Sequence, residues 1–195
     1  MELRVTRTRR SGAERRREIL EAALAICLEE GIAALRTEKI ARRVGLSPGG
    51  IFRHYPSKRA ILTALTEELL ARLEAATPKE GEPLRWLRAF VVNRVRAFQE
   101  DPGLRLLFSP EFEHALPRAA KAELKKNLRA TWNRLVAAVE EGQRRGEIRG
   151  DLAAEELAAA VAALVQAATQ PLLAEVIRES DPERVWQTVR DLLTR

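Results

Sequence analysis

Two short helical segments joined by a tight turn constrain the fold of this chain more than any other feature. The first segment, residues 37–44, is amphipathic, with Thr37 placed to cap its start and Gly45 suited to the left-handed residue at its end. The second begins at Ser47, a favourable N-cap, with Pro48 at the first helical position. This arrangement predicts a helix-turn-helix unit, whose second helix enters the major groove of DNA.

The second helix can be only about two turns long, because Pro56 interrupts it. Ile51 is apolar and can pack inward against the first helix. The residues that remain face outward or sideways and are available to DNA. They are Pro48, Gly49, Gly50, Phe52, Arg53 and His54, with Ser47 at the cap.

The segment from Ser47 to Lys58 resembles the pattern of the TetR (tetracycline-repressor-like) family of bacterial transcriptional regulators. The pattern is matched by Ser47, Gly49, Ile51, His54, Tyr55 and Lys58. The specific part of the resemblance covers residues 13–60, and beyond it only length and helical character agree. Phe52 departs from the pattern, because the family usually has a tyrosine there whose hydroxyl commonly meets a phosphate. We expect this contact to be absent or replaced by Tyr55.

The polar residues of this segment have separate candidate roles. Arg53 is the candidate base reader, since its planar fork matches the N7 and O6 acceptors of guanine; a solvated surface arginine is the alternative. Lys58 and Thr37 each stand at a helix start that can hold a phosphate, and in the resembled family both positions commonly touch the DNA backbone. The alternatives are a surface charge for Lys58 and a structural cap for Thr37. His54 can donate to phosphate or pack in the turn.

Two adjacent glycines lie inside the second short helix. Gly49 and Gly50 each cost about 1 kcal/mol relative to alanine in a helix, so their presence needs a reason. Close approach to DNA is one such reason. A tight crossing between the two short helices is the other.

Positive charge is concentrated at the start of the chain. The formal net charge is +6, but residues 1–60 hold 14 Lys or Arg and 7 Asp or Glu, whereas residues 61–195 hold 20 and 21. Such a field steers the N-terminal end toward a polyanion. Residues 1–12 are predicted to form a flexible basic arm, which either enters an adjacent minor groove or serves as a solubilising tail.

A membrane surface is also anionic, so charge alone does not select nucleic acid as the partner. The basic N-terminal region lacks the exposed apolar face of an interfacial helix. The longest apolar run, residues 157–165, is far shorter than the roughly 20 residues that cross a bilayer. We therefore expect no membrane partner and, from the resemblance, a cytoplasmic protein.

Helical periodicity without any useful run of period two predicts an all-α fold of about nine helices. After the helix-turn-helix unit the predicted helices cover residues 57–76, 83–100, 102–108, 117–145, 151–178 and 182–194. Residues 13–56 are assigned to the DNA-binding domain and residues 57–195 to a larger domain for ligand binding and dimerisation. The helix 57–76 links the two domains. Its apolar face is predicted to hold Ile61, Leu65, Leu69 and Leu73.

Aromatic and polar residues interrupt several apolar helix faces in the larger domain, as expected around a small-molecule pocket. The candidates for lining the pocket are Trp86, Phe90, Asn93, Phe108, Phe112, His114, Trp132, Gln166, Thr169 and Gln170. Buried hydrogen bonding and ordinary packing are the competing roles for each of them. Their mainly apolar and aromatic character favours a hydrophobic effector.

Dimerisation has a physical motive, because a reader of two short helices makes few contacts and a twofold pair doubles its footprint. In the resembled family the last two helices form a four-helix interface with their mates. The corresponding candidates are Leu157, Val161, Leu164, Val165, Val185, Trp186, Val189 and Leu192. The alternative is that these faces are buried within one protomer.

Catalysis finds little support in the residues. Two histidines and one cysteine cannot form a recognisable zinc site, and no glycine-rich phosphate loop or nucleophile elbow occurs. We expect no metal, no cofactor and no enzyme activity. The prediction is a homodimeric, ligand-responsive regulator that binds a palindromic operator, with repression inferred from the resemblance alone. The alternative is an all-helical carrier or enzyme without DNA binding.

Overall fold

The computed structural model describes residues 11–177 and 181–194, and this part of the chain is all-helical, without strands. The predicted all-α class is confirmed. The α-helices are α1 (Gly12–Glu30), α2 (Thr37–Val44), α3 (Pro48–Phe52), α4 (Lys58–Ala75), α5 (Pro83–Glu100), α6 (Pro110–Ala115), α7 (Arg118–Arg144), α8 (Ala154–Thr169), α9 (Pro171–Ile177) and α10 (Pro182–Thr194). Two 3₁₀ helices cover Ile32–Ala34 and Pro102–Phe108. Most of the predicted basic arm, residues 1–10, lies outside the described residues.

The helix count differs from the prediction in two places. The segment predicted as one helix over residues 151–178 begins only at Ala154 and is divided at Pro171, which lacks an N–H and cannot continue α8. Ser109 and Pro110 open a separate short helix, α6, with Ser109 Oγ accepting from the Phe112 N–H at 3.3 Å. Since the predicted helix over residues 102–108 is a 3₁₀ helix, the described residues contain ten α-helices, whereas about nine helices in all were predicted.

The first core joins the N-terminal helices to the middle of the chain. It contains buried residues of α1 to α4 together with Phe98, Leu104, Leu107 and Phe112. Gly103 lies so close to α1 that an added Cβ would stand 3.0 Å from the Leu24 side chain. The packing of the first core is therefore continuous across the predicted division between residues 56 and 57.

The second core lies between α5, α7, α8 and α10. It includes Leu87, Val91 and Val95 from α5, each fully buried, and these pack against the apolar faces of α8 and α10. Helix α4 lies in the first core, and its predicted apolar face is confirmed, since Ile61, Leu65, Leu69 and Leu73 are all buried there.

The predicted dimer residues lie mostly inside the protomer. Six of the eight are buried there, namely Leu157, Val161, Val165, Val185, Trp186 and Val189. For them the dimer assignment was wrong, because α5 already covers these faces of α8 and α10. Leu164 and Leu192 are half-buried. Among the described residues of this region, the apolar side chains with the greatest exposed fraction are Leu172 and Leu173 on α9, at 73% and 48%.

Among the helices of the described residues, none combines the length and the apolar character that crossing a bilayer requires. Nor do three or more His, Cys, Asp or Glu side chains gather in that part of the chain into a group able to hold a metal ion.

Candidate nucleic-acid interface and effector cavity

The turn between α2 and α3 has the predicted geometry. Gly45 adopts a left-handed conformation, with φ 66° and ψ 39°, and the Leu46 N–H closes the helix end by donating to the Ala41 carbonyl at 2.9 Å. Ser47 then caps α3 by accepting from the Gly50 N–H at 3.1 Å. Ile51 is fully buried, which fixes the side of α3 that faces the domain.

The start of α2 differs from the prediction by one residue. Arg36 occupies the cap position, with an extended backbone of φ −130° and ψ 145° and no capping hydrogen bond from its side chain. Thr37 is already the first helical residue, so its assignment as the N-cap was wrong. It remains half-buried at the N-terminal end of α2, where the first-turn N–H groups lie.

Helix α1 holds the ends of both short helices. The Arg16 guanidinium donates to the His54 carbonyl at 2.8 Å, just beyond the end of α3, and also lies over the Tyr55 ring at 4.4 Å. The neighbouring Arg15 donates to the Val44 carbonyl at 3.4 Å. Two adjacent arginines of α1 thereby hold the last turns of α2 and α3, which keeps the orientation of α3 fixed relative to the domain.

Most of the predicted DNA contacts share one accessible surface. Ser47, Pro48, Gly49, Phe52, Arg53 and Lys58 are exposed, and Thr37, Gly50 and His54 are half-buried. The side chain of Phe52 is 48% exposed. We call these nine residues, together with Arg36 and Arg42, the candidate DNA surface.

Tyr55 does not belong to this surface. It is 3% exposed, and its hydroxyl stands 3.4 Å from the Arg16 carbonyl. Of the two alternatives for the missing tyrosine hydroxyl at position 52, replacement by Tyr55 was wrong, because α3 ends at Phe52 and the chain beyond it turns Tyr55 into the first core.

Arg36 and Arg42 were not among the predicted contacts, yet both are exposed, Arg36 at the cap position of α2 and Arg42 on the helix itself. Other basic residues nearby are neutralised: Lys39 pairs with Glu30, and Arg43 pairs with Glu29. Within residues 11–177 and 181–194, no ion pair engages Arg36, Arg42, Arg53 or Lys58. Their charges therefore face solvent. Arg36 and Arg42 could have been identified from the sequence by their position on either side of the apolar face of α2.

The two glycines of α3 are not required by internal packing. A Cβ added at Gly49 would meet no atom nearer than the Ser47 Oγ at 4.0 Å, and one at Gly50 would make ordinary contact with Leu46 at 3.4 Å. Neither has a positive φ. A tight crossing of the two helices therefore does not explain Gly49.

A cavity of about 140 Å³ opens in the larger domain between α5, α7 and α8. Five predicted pocket residues line it: Phe90, Phe108, Trp132, Gln166 and Thr169. Phe98, Leu128, Leu135, Ala162 and Val165 complete the apolar wall. The cavity adjoins the 3₁₀ helix at Phe108, which is 36% exposed and is the only exposed residue among these five.

The other five predicted pocket residues lie elsewhere. Trp86 stacks behind Phe90 at 5.4 Å and donates from Nε1 to the Pro78 carbonyl at 3.0 Å. Phe112 is fully buried in the first core, His114 is exposed on α6, and Gln170 follows the end of α8 without lining the cavity. Asn93 is exposed as well, because on α5 it is the next residue, Arg94, that faces inward.

Arg94 is the unpredicted member of the cavity wall. It is 5% exposed, donates from Nη2 to the Thr77 hydroxyl at 2.8 Å, and lies over the Phe90 ring at 5.1 Å. Its buried Nε has no hydrogen-bond partner among the described residues. Burial lowers the pKa of Arg94 to about 10, so the guanidinium is still charged at neutral pH.

Cys27 contributes no reactive group. It lies in the first core, and burial raises the pKa of its thiol to about 11, an effect that the nearby Lys58 charge only partly offsets. The thiol is therefore protonated at neutral pH and acts as a small apolar side chain.

The described part of the chain is all-helical, with a capped, basic two-helix unit at one end and a cavity at the other. This architecture is that of the helix-turn-helix class of proteins. Within that class, residues 19–65 match the model of the bacterial regulatory proteins of the tetR family. The resemblance to the TetR family predicted from the sequence is confirmed in the N-terminal region by this match.

Similar proteins of known structure share the whole architecture. The TetR-family transcriptional regulator PfmR from Thermus thermophilus superposes with a TM-score of 0.74 at 22% identity, covering 89% of this chain and 95% of its own. The ketosteroid transcriptional regulator KstR2 of Mycobacterium tuberculosis gives a TM-score of 0.76 at 19% identity, with 93% and 95% covered. At such identities the likeness establishes the fold.

Curated relatives match over a shorter stretch. The nucleoid occlusion factor SlmA of Vibrio campbellii is 36% identical over 102 residues, which is 49% of this chain and 51% of that protein. SlmA of Actinobacillus pleuropneumoniae is 28% identical over 101 residues, 49% of this chain and 50% of its own length. The chain thus spans about half the length of the curated relatives it matches.

Proposed function

We propose that this protein is a ligand-responsive transcriptional repressor of the cytoplasm, and that as a homodimer it binds a palindromic operator and releases it on binding a hydrophobic small molecule. The observation that carries the proposal is the candidate DNA surface. There Arg36, Arg42, Arg53 and Lys58 are exposed, without acidic partners in the described part of the chain, around a short helix whose orientation α1 fixes.

Each part of that surface has a defined role in the proposal. Arg53, at the C-terminal end of α3, reads a guanine edge in the major groove. Lys58, at the N-terminus of α4, holds a phosphate together with the first N–H groups of that helix. The exposed backbone of Gly49 allows α3 to approach the DNA closely. Phe52, which has no hydroxyl, contacts the sugar or a thymine methyl group.

Dimerisation completes the reader, because one copy of α3 spans only one half-site. With the apolar faces of α8 and α10 buried in the protomer, the mate contacts the outward faces of these helices. That contact includes Ala159 and Ala163 on α8, both exposed, and it extends to Leu172 and Leu173 on α9. This arrangement covers the most exposed apolar side chains of the larger domain.

Helix α4 couples the two functions. It begins at Lys58 on the candidate DNA surface and ends at Ala75, two residues before Thr77, whose hydroxyl is bonded to the cavity residue Arg94. A ligand in the cavity shifts the protein away from the DNA-binding arrangement only by as much as it prefers the other arrangement. The effector therefore binds more tightly to the DNA-free protein.

The test is a selection of bound duplexes from a random pool, followed by titration at increasing salt. A recovered inverted repeat, bound with a steep loss of affinity at higher salt, supports DNA reading, twofold symmetry and a fixed half-site spacing together. Absence of any duplex binding at low salt would refute the proposal. It would leave an all-helical carrier or enzyme that uses the cavity alone.

A further inference from the structure

The cavity between α5, α7 and α8 has mainly apolar walls, with three neutral polar residues, Thr131, Gln166 and Thr169, and the charged guanidinium of Arg94 in its lining. We propose that the occupant of this cavity is a small monocarboxylic acid with a compact apolar body, and that its carboxylate pairs with Arg94. The inference rests on the proposed function in taking the cavity as the effector site. It adds the chemical class of the effector.

The charge on Arg94 has no counter-ion within the described residues. Its one hydrogen-bond partner there is the neutral hydroxyl of Thr77. The carboxylate of Glu74 acts on Arg94 only through its electrostatic field, and it is held by Arg134 through two hydrogen bonds of 3.0 and 2.6 Å. A buried charge without a counter-ion is unfavourable, so an anion that enters the cavity gains an attraction that the protein itself leaves unused.

The geometry of the guanidinium suits a carboxylate. Arg94 has five N–H donors in a planar fork, and its Nε is buried with no acceptor within the described residues. A carboxylate can accept from Nε–H and from a second N–H of the same group, in the bidentate arrangement that arginine forms with this anion. A neutral amide of the same shape supplies one acceptor oxygen and brings an N–H₂ group that the guanidinium cannot accept from.

The size and walls of the cavity define the rest of the molecule. A volume of about 140 Å³ resembles that of cavities that hold a single benzene-sized ring. Phe90, Phe98, Trp132, Leu135 and Val165 surround this space with aromatic and aliphatic groups. Among the described residues that line the cavity only one is a cation, so the charge of the ligand is matched by a single carboxylate. A ring or a short branched chain fits the remaining volume.

The position of Arg94 also connects the carboxylate to α4. Thr77 Oγ1 accepts from Arg94 and is itself tied to α4, donating to the Leu73 carbonyl at 3.2 Å. An anion that draws the Arg94 guanidinium toward the cavity changes the hydrogen bond between Arg94 and Thr77. Thr77 lies two residues beyond the C-terminal end of α4, the helix that starts at Lys58. The anionic group of the ligand, rather than its apolar body, is thus the part placed to act on the coupling helix.

Binding is tested on the DNA-free protein by calorimetry at neutral pH, with two matched pairs of probes. Phenylacetate is compared with phenylacetamide, and 4-methylpentanoate with its amide. In at least one pair the acid should bind about ten- to a hundredfold more tightly than the amide, the range expected for hydrogen bonds to a charged group. Arg94→Gln should remove this preference. Arg96→Gln, an exposed arginine on the same helix, should retain it.

Three results would overturn the assignment: equal binding of acid and amide in both pairs, no binding of any of the four probes, or an acid preference that survives in Arg94→Gln. Circular dichroism establishes whether that variant folds. If it does not, Ala162→Phe serves instead, since it fills the cavity without altering Arg94 and should abolish binding of the acid. No DNA is present, so a failure here leaves the DNA-reading proposal standing, and that proposal is judged by the duplex selection.

Discussion

The Arg94 guanidinium donates a 2.8 Å hydrogen bond to the Thr77 hydroxyl, and this bond joins the wall of the cavity to the end of α4. Each of the two residues is only 5% exposed, so water does not compete freely for either group. Since α4 starts beside α3, the pair connects the two regions of the molecule that a ligand-responsive regulator has to couple.

Thr77→Val should remove that connection while keeping the shape of the side chain. The buried guanidinium then loses its acceptor, and we expect the free energy of unfolding to fall by about 1 to 3 kcal/mol. The measurement is urea unfolding, with Thr63→Val as the control. Thr63 lies on α4 itself and is half-buried, and its hydroxyl donates to the Arg59 carbonyl of the same helix. Equal losses for the two variants would contradict the special role of the Arg94–Thr77 pair.

Arg53→Ala should reduce operator affinity by about 1 to 3 kcal/mol and relax discrimination at one base pair. The reason is the loss of a bidentate contact to a guanine edge from the exposed end of α3. The affinity is measured on the selected operator, on variants of it at each position, and on random duplex. An identical loss on operator and random DNA would mean that Arg53 contacts only phosphate.

Lys58→Ala should weaken binding to all duplexes similarly, because a phosphate contact carries no base information. The slope of the logarithm of affinity against the logarithm of salt concentration should become less steep by about 1. Arg59→Ala is the matched control, the neighbouring exposed cation on the same helix. A change in sequence preference for Lys58→Ala would show that this residue does more than hold the backbone.

Ala163→Glu tests the proposed mate-facing side of α8. Ala163 is exposed in the protomer, so the substitution should leave the protomer folded. In a dimer it places a carboxylate without a partner in the interface, and we expect dimerisation to weaken by about 3 kcal/mol. Sedimentation equilibrium measures the effect, and Ala137→Glu on the exposed side of α7 is the control. Unchanged dimerisation would exclude this face of α8.

The helix-turn-helix unit could be predicted from sequence because its determinants are local. Ser47, Pro48 and Gly45 specify a cap, a helix start and a helix end within a few residues, independently of the rest of the chain. The inward turn of Tyr55 could not be predicted in this way. It depends on where α3 stops and on the Arg16 side chain, which comes from another helix.

The cavity shows the limits of reasoning from residue type. Phe90, Arg94 and Phe98 occur at steps of four on α5, so helical spacing alone places all three on one face. Asn93 was expected to face the pocket because it is a polar residue that interrupts an apolar helix face. One helical residue corresponds to about 100° of rotation, which is enough to move Asn93 to the surface.

The faces of α8 illustrate a different limit. This helix is apolar on nearly every side, with alanines on the faces that its leucines and valines do not occupy. Periodicity therefore does not distinguish the side that packs within the protomer from the side that is left for a mate. The choice is made by α5, which buries Leu157, Val161 and Val165 in the second core.

Gly49→Ala should stabilise the protein and weaken its binding to DNA. The position has no positive φ, and an added Cβ meets only the Ser47 Oγ at 4.0 Å, so the free energy of unfolding should rise by up to about 1 kcal/mol. The same methyl group would stand between α3 and the DNA wherever the backbone approaches closely, which should lower operator affinity at least tenfold. Thermal unfolding and duplex titration measure the two effects.

Gly12→Ala is the control, because its Cβ also meets open space but lies at the start of α1, away from the candidate DNA surface. A more stable variant that binds the operator as tightly as the parent would show that glycine at position 49 is not there to admit DNA.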